Sequence, residues 1–232
     1  MSFMDHLEEL RRRIIYALIG IIIGAAICGV FTTQMIDILL LPAKSNNIPL
    51  QNLRPFGQVF LYFEVFLIGG LILSLPNFFF QFWKFISPAL RKRERRYISA
   101  IVAFSTLCFI AGVVFAYYVM LPTAFGFAAS FGTQDIKNEF AIDEYMSIIL
   151  SVMVGAGLVF ELPMISFFLS KLGILNPGIM RKYRRHAIVV ILIAAALLTP
   201  GTDPVSQVVL AVPLTILYEI SILVSKFSAK KT

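Results

Sequence analysis

Six apolar runs divide this chain, and polar stretches of uneven length separate them. Residues 14–35, 59–83, 97–121 and 145–170 each supply about the 20 apolar positions that a helix needs to cross a ~30 Å hydrocarbon core. The first run is uncharged and carries Gly20-x-x-x-Gly24, a spacing that lets another helix approach closely. The second has Glu64 near its start and Pro76 inside, which predicts a kink. Trp83 and Phe85 close it, where aromatic residues anchor a helix at the interface. The third has no charge, and the fourth carries only Glu161, followed by Pro163.

The last two runs differ. Residues 187–198 give one continuous apolar stretch of about 18 Å at 1.5 Å per residue, short of a full crossing. Thr199-Pro-Gly-Thr-Asp-Pro204 interrupts it, and residues 205–225 return with Pro213 and Glu219 inside. The pattern predicts a short helical hairpin whose tip sits low in the bilayer. The competing reading keeps 199–204 helical enough to span normally. Between the runs, residues 1–13 read as a polar helix. Residues 37–56, with Pro42, Pro49 and Pro55, read as an ordered loop, and 122–144 and 171–186 as polar loops. The expectation is an all-α polytopic membrane protein: one six-helix domain over 1–232, with spans near 14–35, 59–83, 97–121, 145–170, 187–199 and 205–225 and the last two short.

Composition agrees. Hydrophobic residues make up 59% and charged residues 14%, with mean hydropathy +0.86, outside the range of soluble domains. The first run is too long for the apolar core of a cleaved signal and lacks a small-residue cleavage site, so it reads as a retained helix. The net charge of +7 raises nucleic acid as a partner, but its distribution removes the need for one. With both termini on one side, 17 of the 20 lysines and arginines fall on that side; only Lys44, Arg54 and Lys137 lie opposite. Such asymmetry marks the cytoplasmic face.

The candidate chemistry is sparse. Cys28 and Cys108 sit in apolar runs without metal-ligand spacing, and read as small hydrophobes. No HExxH, phosphate loop or GxSxG is present, so neither catalytic site nor cofactor is expected. Two cytoplasmic segments mix carboxylates with arginines: His6-Leu-Glu-Glu-Leu-Arg11, and Pro88-Ala-Leu-Arg-Lys-Arg-Glu-Arg-Arg96, where five cations surround Glu94. One reading is surface pairing, Glu8 and Glu9 with Arg12 and Arg13 at helical spacing, each pair contributing ~0.2–1 kcal/mol. The other is a pair of carboxylates, Glu9 and Glu94, that meet a cationic ligand; a planar guanidinium suits them. Glu161, about 15 Å in from Lys171, lies near mid-bilayer, so it must face protein or water or be protonated. The competing reading makes it a neutral packing residue. Glu219 reads as structural, and Glu64 is close enough to the outer interface to reach water.

Four motifs add a family. His6-Leu-x-Glu-Leu-Arg11, Phe85-Ile-Ser-Pro-Ala-Leu90 with Glu94-Arg-Arg96, Phe160-Glu161-Leu162-Pro163, and Thr199-Pro200 with Asp203 and Ser206-Gln207 resemble TatC. That family is the large integral subunit of the twin-arginine protein translocase. The resemblance implies a cupped six-helix bundle in the bacterial cytoplasmic membrane with both termini cytoplasmic. It implies no enzyme activity, but recognition of the twin-arginine signal peptide of folded cargo. It further implies recruitment of the single-span subunits TatA and TatB, further TatC copies, and export driven by the protonmotive force. By the same resemblance the signal-binding carboxylates fall on Glu9 and Glu94, supported by Arg11, Phe85 and Leu90. The concave-face glutamate falls on Glu161, and the partner-binding positions on Gln207, Asp203 and Pro42. Glu8 is a second candidate beside Glu9, and the family pattern alone chooses between them. The alternative function is a small-solute secondary transporter, which calls for an inverted internal repeat. The charged motifs of 1–96 do not recur after 97.

Overall fold

The computed structural model describes residues 3–86, 98–130, 139–171, 173–199 and 204–228. The first helix, α1 (Phe3–Val30), takes in the polar N-terminal segment as well as the apolar run. A break at Phe31 follows, where the Thr32 hydroxyl donates to the carbonyls of Cys28 and Gly29, both at 3.0 Å. Short helices α2 (Thr32–Leu39) and α3 (Leu41–Ser45) then occupy part of the expected loop.

Proline dictates the next break. Helices α4 (Gly57–Leu73) and α5 (Leu75–Ile86) meet at 52°. Pro76 has no N–H to offer the carbonyl four residues back, and its ring crowds that carbonyl. The Ser74 hydroxyl donates to Leu71 O at 2.9 Å, taking up one of the carbonyls at the break. Pro163 acts similarly between α8 (Ile142–Val159) and α9 (Leu162–Lys171), where the Glu161 N–H turns back to Leu158 O at 3.2 Å.

The expected loop from 122 is helical instead as far as Ser130. Helix α6 (Ile98–Phe115) passes through a π-turn (Ala116–Met120) into α7 (Leu121–Ser130). The Leu121 N–H reaches back five residues to Ala116 O. The wider turn accommodates Pro122, and the Thr123 hydroxyl takes Val119 O at 2.6 Å. A two-residue parallel ladder, β1 (Leu50–Gln51) against β2 (Phe140–Ala141), was not expected.

The last hairpin follows the first reading at its break. After α10 (Pro177–Lys182), α11 (Arg184–Leu198) ends at Thr199, whose ψ of 130° is extended. Its 15 residues reach roughly 22 Å. Helix α12 (Pro204–Ser228) has 25 residues and runs past the expected end, so the short member of the pair is α11. Among the described residues four helical stretches are long and apolar enough to cross a membrane: His6–Val30, Ile98–Ser130, Ile142–Lys171 and Pro204–Lys226. The bent α4–α5 pair makes a fifth, and α11 is the sixth apolar segment.

Packing separates two compact units, Met1–Ile36 with Val59–Leu107, and Asp37–Gln58 with Cys108–Thr232. In the first, α1 lies against α4 and α5. Gly24 and Gly70 meet backbone to backbone, with no space for a Cβ on either. Leu75, Phe79 and Trp83, spaced four apart, form the buried stripe of α5. Trp83 is therefore interior, at 3% exposure, and not the interfacial anchor its position suggests. In the second unit α12 packs along α9 and α11, and the Ser170 hydroxyl donates to Ser225 Oγ at 2.7 Å within the interface. Phe109, Met120, Tyr145, Met146, Ile149, Leu210 and Leu214 are fully buried. Elsewhere large apolar side chains face outward, such as Ile22, Leu107 and Leu197 at 67%, 68% and 81% exposure. That much outward apolar surface requires a lipid solvent.

Candidate functional site

Glu9 and Arg13 are one turn apart on α1, and their side chains meet: Arg13 Nη2 lies 3.3 Å from Glu9 Oε1. This is the i,i+4 pairing the surface reading expects. It is not an open surface pair, since the side chains are only 18% and 16% exposed. Arg13 Nη1 also donates across to Gln81 Oε1 on α5 at 3.1 Å. Glu9 Oε2 and Arg13 Nε are enclosed and, among the described residues, have no hydrogen-bond partner. The carboxylate is thus half-satisfied. It is fixed through one oxygen, and the other keeps its full accepting capacity.

The neighbouring surface is apolar and aromatic. His6 stacks on Phe85, ring centroids 4.6 Å apart and planes 23° from parallel. Below lies a cavity of about 200 Å³ lined by Leu10, Ile14, Ala17, Phe78, Phe82 and Phe85, with Arg13 and Gln81 as its polar residues. The structure thus brings Glu9 and Phe85 to the same end of the α1–α5 pair. Arg11, two residues beyond Glu9, falls on another side of the helix and is exposed. Glu8 is exposed as well. Glu94, Leu90 and Asp203 lie outside the described residues.

The sequence reading passed over Arg13 as a ligand-side group, and it missed Gln81 and Asn77. One signal was available: Asn77 and Gln81 are a polar pair at helical spacing in a run that is otherwise apolar. Gln81 Nε2 donates to Asn77 Oδ1 at 3.2 Å, so the pair does share one face.

The remaining candidates belong to the second unit. Glu161 is buried at 7% exposure, at the break between α8 and α9, next to a stacked Phe115–Phe160 pair. Gln207 is half-buried on α12, and its Nε2 donates to Leu192 O on α11 at 3.1 Å. Pro42 is buried at the start of α3, and its carbonyl accepts from Ser45 Oγ and Asn46 Nδ2. Tyr145 holds that turn in place, accepting from the Ala43 N–H and donating to Leu39 O, both at 3.0 Å. Glu219, read from the sequence as structural, forms a half-exposed pair with Arg184 at 2.8 Å.

Fold and site together define an integral membrane protein of several spans, with its charged groups gathered at helix ends. The family model for the Sec-independent protein translocase protein (TatC) matches residues 5–213. A TatC from Carboxydothermus hydrogenoformans is 36% identical, aligned over all of this chain and 95% of its own length. One from Aquifex aeolicus is 34% identical over all of this chain and 97% of its own. A solved structure described as the twin-arginine translocase receptor TatC superposes with a TM-score of 0.83 at 34% identity, covering 96% of this chain and 99% of that one. This chain belongs to the TatC family, and is a component of a Sec-independent protein translocase.

Proposed function

We infer that this chain is the receptor subunit of a twin-arginine translocase. It binds the twin-arginine signal peptide of folded cargo at the cytoplasmic face of the bacterial cytoplasmic membrane. It then recruits TatA and TatB for export driven by the protonmotive force. The observation that carries the reading is the family match over residues 5–213, reinforced by the aligned receptor structure. The small-solute transporter alternative is not favoured, because the relatives that match throughout are protein translocase subunits.

In this reading Glu9 and Glu94 each take one guanidinium of the ligand. A guanidinium donates from a planar fork and is more weakly hydrated than an ammonium, which gives arginine its advantage over lysine at a carboxylate. Arg11 and Leu90 support that site, and the Phe85 ring borders it. On the membrane side, Glu161, Gln207, Asp203 and Pro42 serve contacts with the single-span subunits. The protein performs no covalent chemistry of its own and needs no cofactor.

The test is binding of a labelled Arg-Arg signal peptide, against its Lys-Lys counterpart, to the full chain in detergent. We expect the first to bind and the second to be lost, and Glu94→Ala to abolish crosslinking of the first while membrane insertion is intact. Equal binding of both peptides by the unaltered protein sinks the receptor reading.

A further inference from the structure

The link from Glu9 to Gln81 does not stop there. Gln81 Nε2 donates to Asn77 Oδ1 at 3.2 Å, and Asn77 Nδ2 donates to the Tyr16 carbonyl of α1 at 3.1 Å. The series therefore leaves α1 at Glu9 and Arg13, descends one turn of α5, and returns to the α1 backbone. Its far end depends on a missing side chain. A Cβ on Gly20 would overlap Asn77 Nδ2, so only glycine lets the amide reach the Tyr16 carbonyl. Each amide has one orientation in this chain: Gln81 must present oxygen to Arg13 and nitrogen to Asn77. The donors run from Arg13 Nη1 through Gln81 and Asn77 to the Tyr16 carbonyl. That backbone acceptor fixes both amides and the guanidinium, which leaves Arg13 Nη2 to donate to Glu9.

We propose that Gln81, anchored through Asn77, is a positioning residue for ligand recognition: it holds the Arg13 guanidinium on Oε1 of Glu9, so that Oε2, enclosed in the unliganded chain, is still unpaired when docking of the signal peptide uncovers it for an arginine. The proposal rests on the receptor reading above. Without the anchor, Arg13 is free to swing and close on both oxygens of Glu9, as a guanidinium prefers to do with a carboxylate. The chain's own arginine then occupies the place of the ligand's. Gln81 touches no ligand in this scheme; it acts through Arg13. Burial supports this role, because a pair only 16–18% exposed cannot exchange its partners freely with water.

The test compares Arg-Arg and Lys-Lys signal peptides on purified full-length protein carrying Gln81→Leu or Asn77→Leu. Loss of a hydrogen bond to a charged group corresponds to about tenfold in affinity. We expect Gln81→Leu to weaken the Arg-Arg peptide by about that factor and to shrink its advantage over Lys-Lys, with Asn77→Leu acting in the same direction. A structural role alone lowers the melting temperature or the folded yield, and leaves the Arg/Lys ratio of the folded fraction unchanged. An unchanged ratio in both variants overturns the relay while the receptor reading stands. A wild-type protein that does not discriminate overturns the receptor reading itself. Should Gln81→Leu not fold, Asn77→Leu decides the matter alone, since it cuts the anchor without touching Arg13.

Discussion

At the scale of single residues, the side chains that matter most here are polar groups with two obligations. Tyr145 is 1% exposed, and its hydroxyl both accepts from Ala43 N–H and donates to Leu39 O. Tyr145→Phe keeps the ring and leaves a buried N–H and carbonyl without their partner. We expect a loss of about 1–3 kcal/mol, read as a lower melting temperature in detergent. An unchanged melting temperature would mean that water replaces the hydroxyl. The same scale shows what the sequence could disclose. The Glu8–Glu9 pair stands out because carboxylates among arginines are conspicuous, but only the family pattern chooses Glu9, and the i,i+4 spacing fits Glu8 with Arg12 as well as Glu9 with Arg13. Gln81 does not stand out, because neutral amides are unremarkable in composition, and their value lies in a partner on another helix. Phe85 was expected at the site through a family motif, but its stacking on His6 is a tertiary contact that no spacing within one segment could supply.

At the scale of elements, breaks caused by proline were readable and breaks absorbed by the backbone were not. Pro76 interrupts its helix as expected, and Pro163 separates α8 from α9 in the same way. Pro122 looked like the start of a loop, but the π-turn ahead of it shifts the hydrogen-bond register and lets the helix continue to Ser130. The β1–β2 ladder was also hidden, since two residues per strand carry no periodicity. In the α11–α12 pair the partner role proposed for Gln207 would compete with a packing contact. Gln207 already donates to Leu192 O, so a single-span helix docking there meets its amide oxygen first. Replacing Gln207 and Glu161 together by Leu removes both polar contacts. Interhelical hydrogen bonds in membranes are worth ~0.6–1.7 kcal/mol each, so recovery of TatA or TatB with the doubly substituted protein should fall by roughly tenfold. Undiminished recovery would assign both residues to internal packing alone.

At the scale of the molecule, the charge asymmetry makes a topological claim that packing supports independently. The segment after the first span and the segment before the fourth are joined in the second unit by β1–β2, by Arg54–Asp143 at 3.1 Å and by a Gln51–Glu139 hydrogen bond. They therefore share one side of the bilayer, as the two crossings between them demand. On the other side, Ser170 at the end of α9 bonds Ser225 near the end of α12, and Tyr218 donates to Met180 O on α10. The basic 171–185 segment and the C-terminal end of α12 thus also go together. Within the second unit these contacts separate the segment of Lys44 and Arg54 from the basic 171–185 segment and the end of α12, the division that the lysines and arginines make there, and only the charge says which side is cytoplasmic. We expect single cysteines at Lys44 and Glu139, in a Cys28→Ser, Cys108→Ser background, to react with a membrane-impermeant maleimide in intact cells. Cysteines at Arg12 and Lys226 should react only after permeabilisation. The reverse pattern would invert the molecule and put Glu9 on the wrong face to meet cytoplasmic cargo. A mixed pattern between Lys44 and Glu139 would contradict the contacts that join their segments.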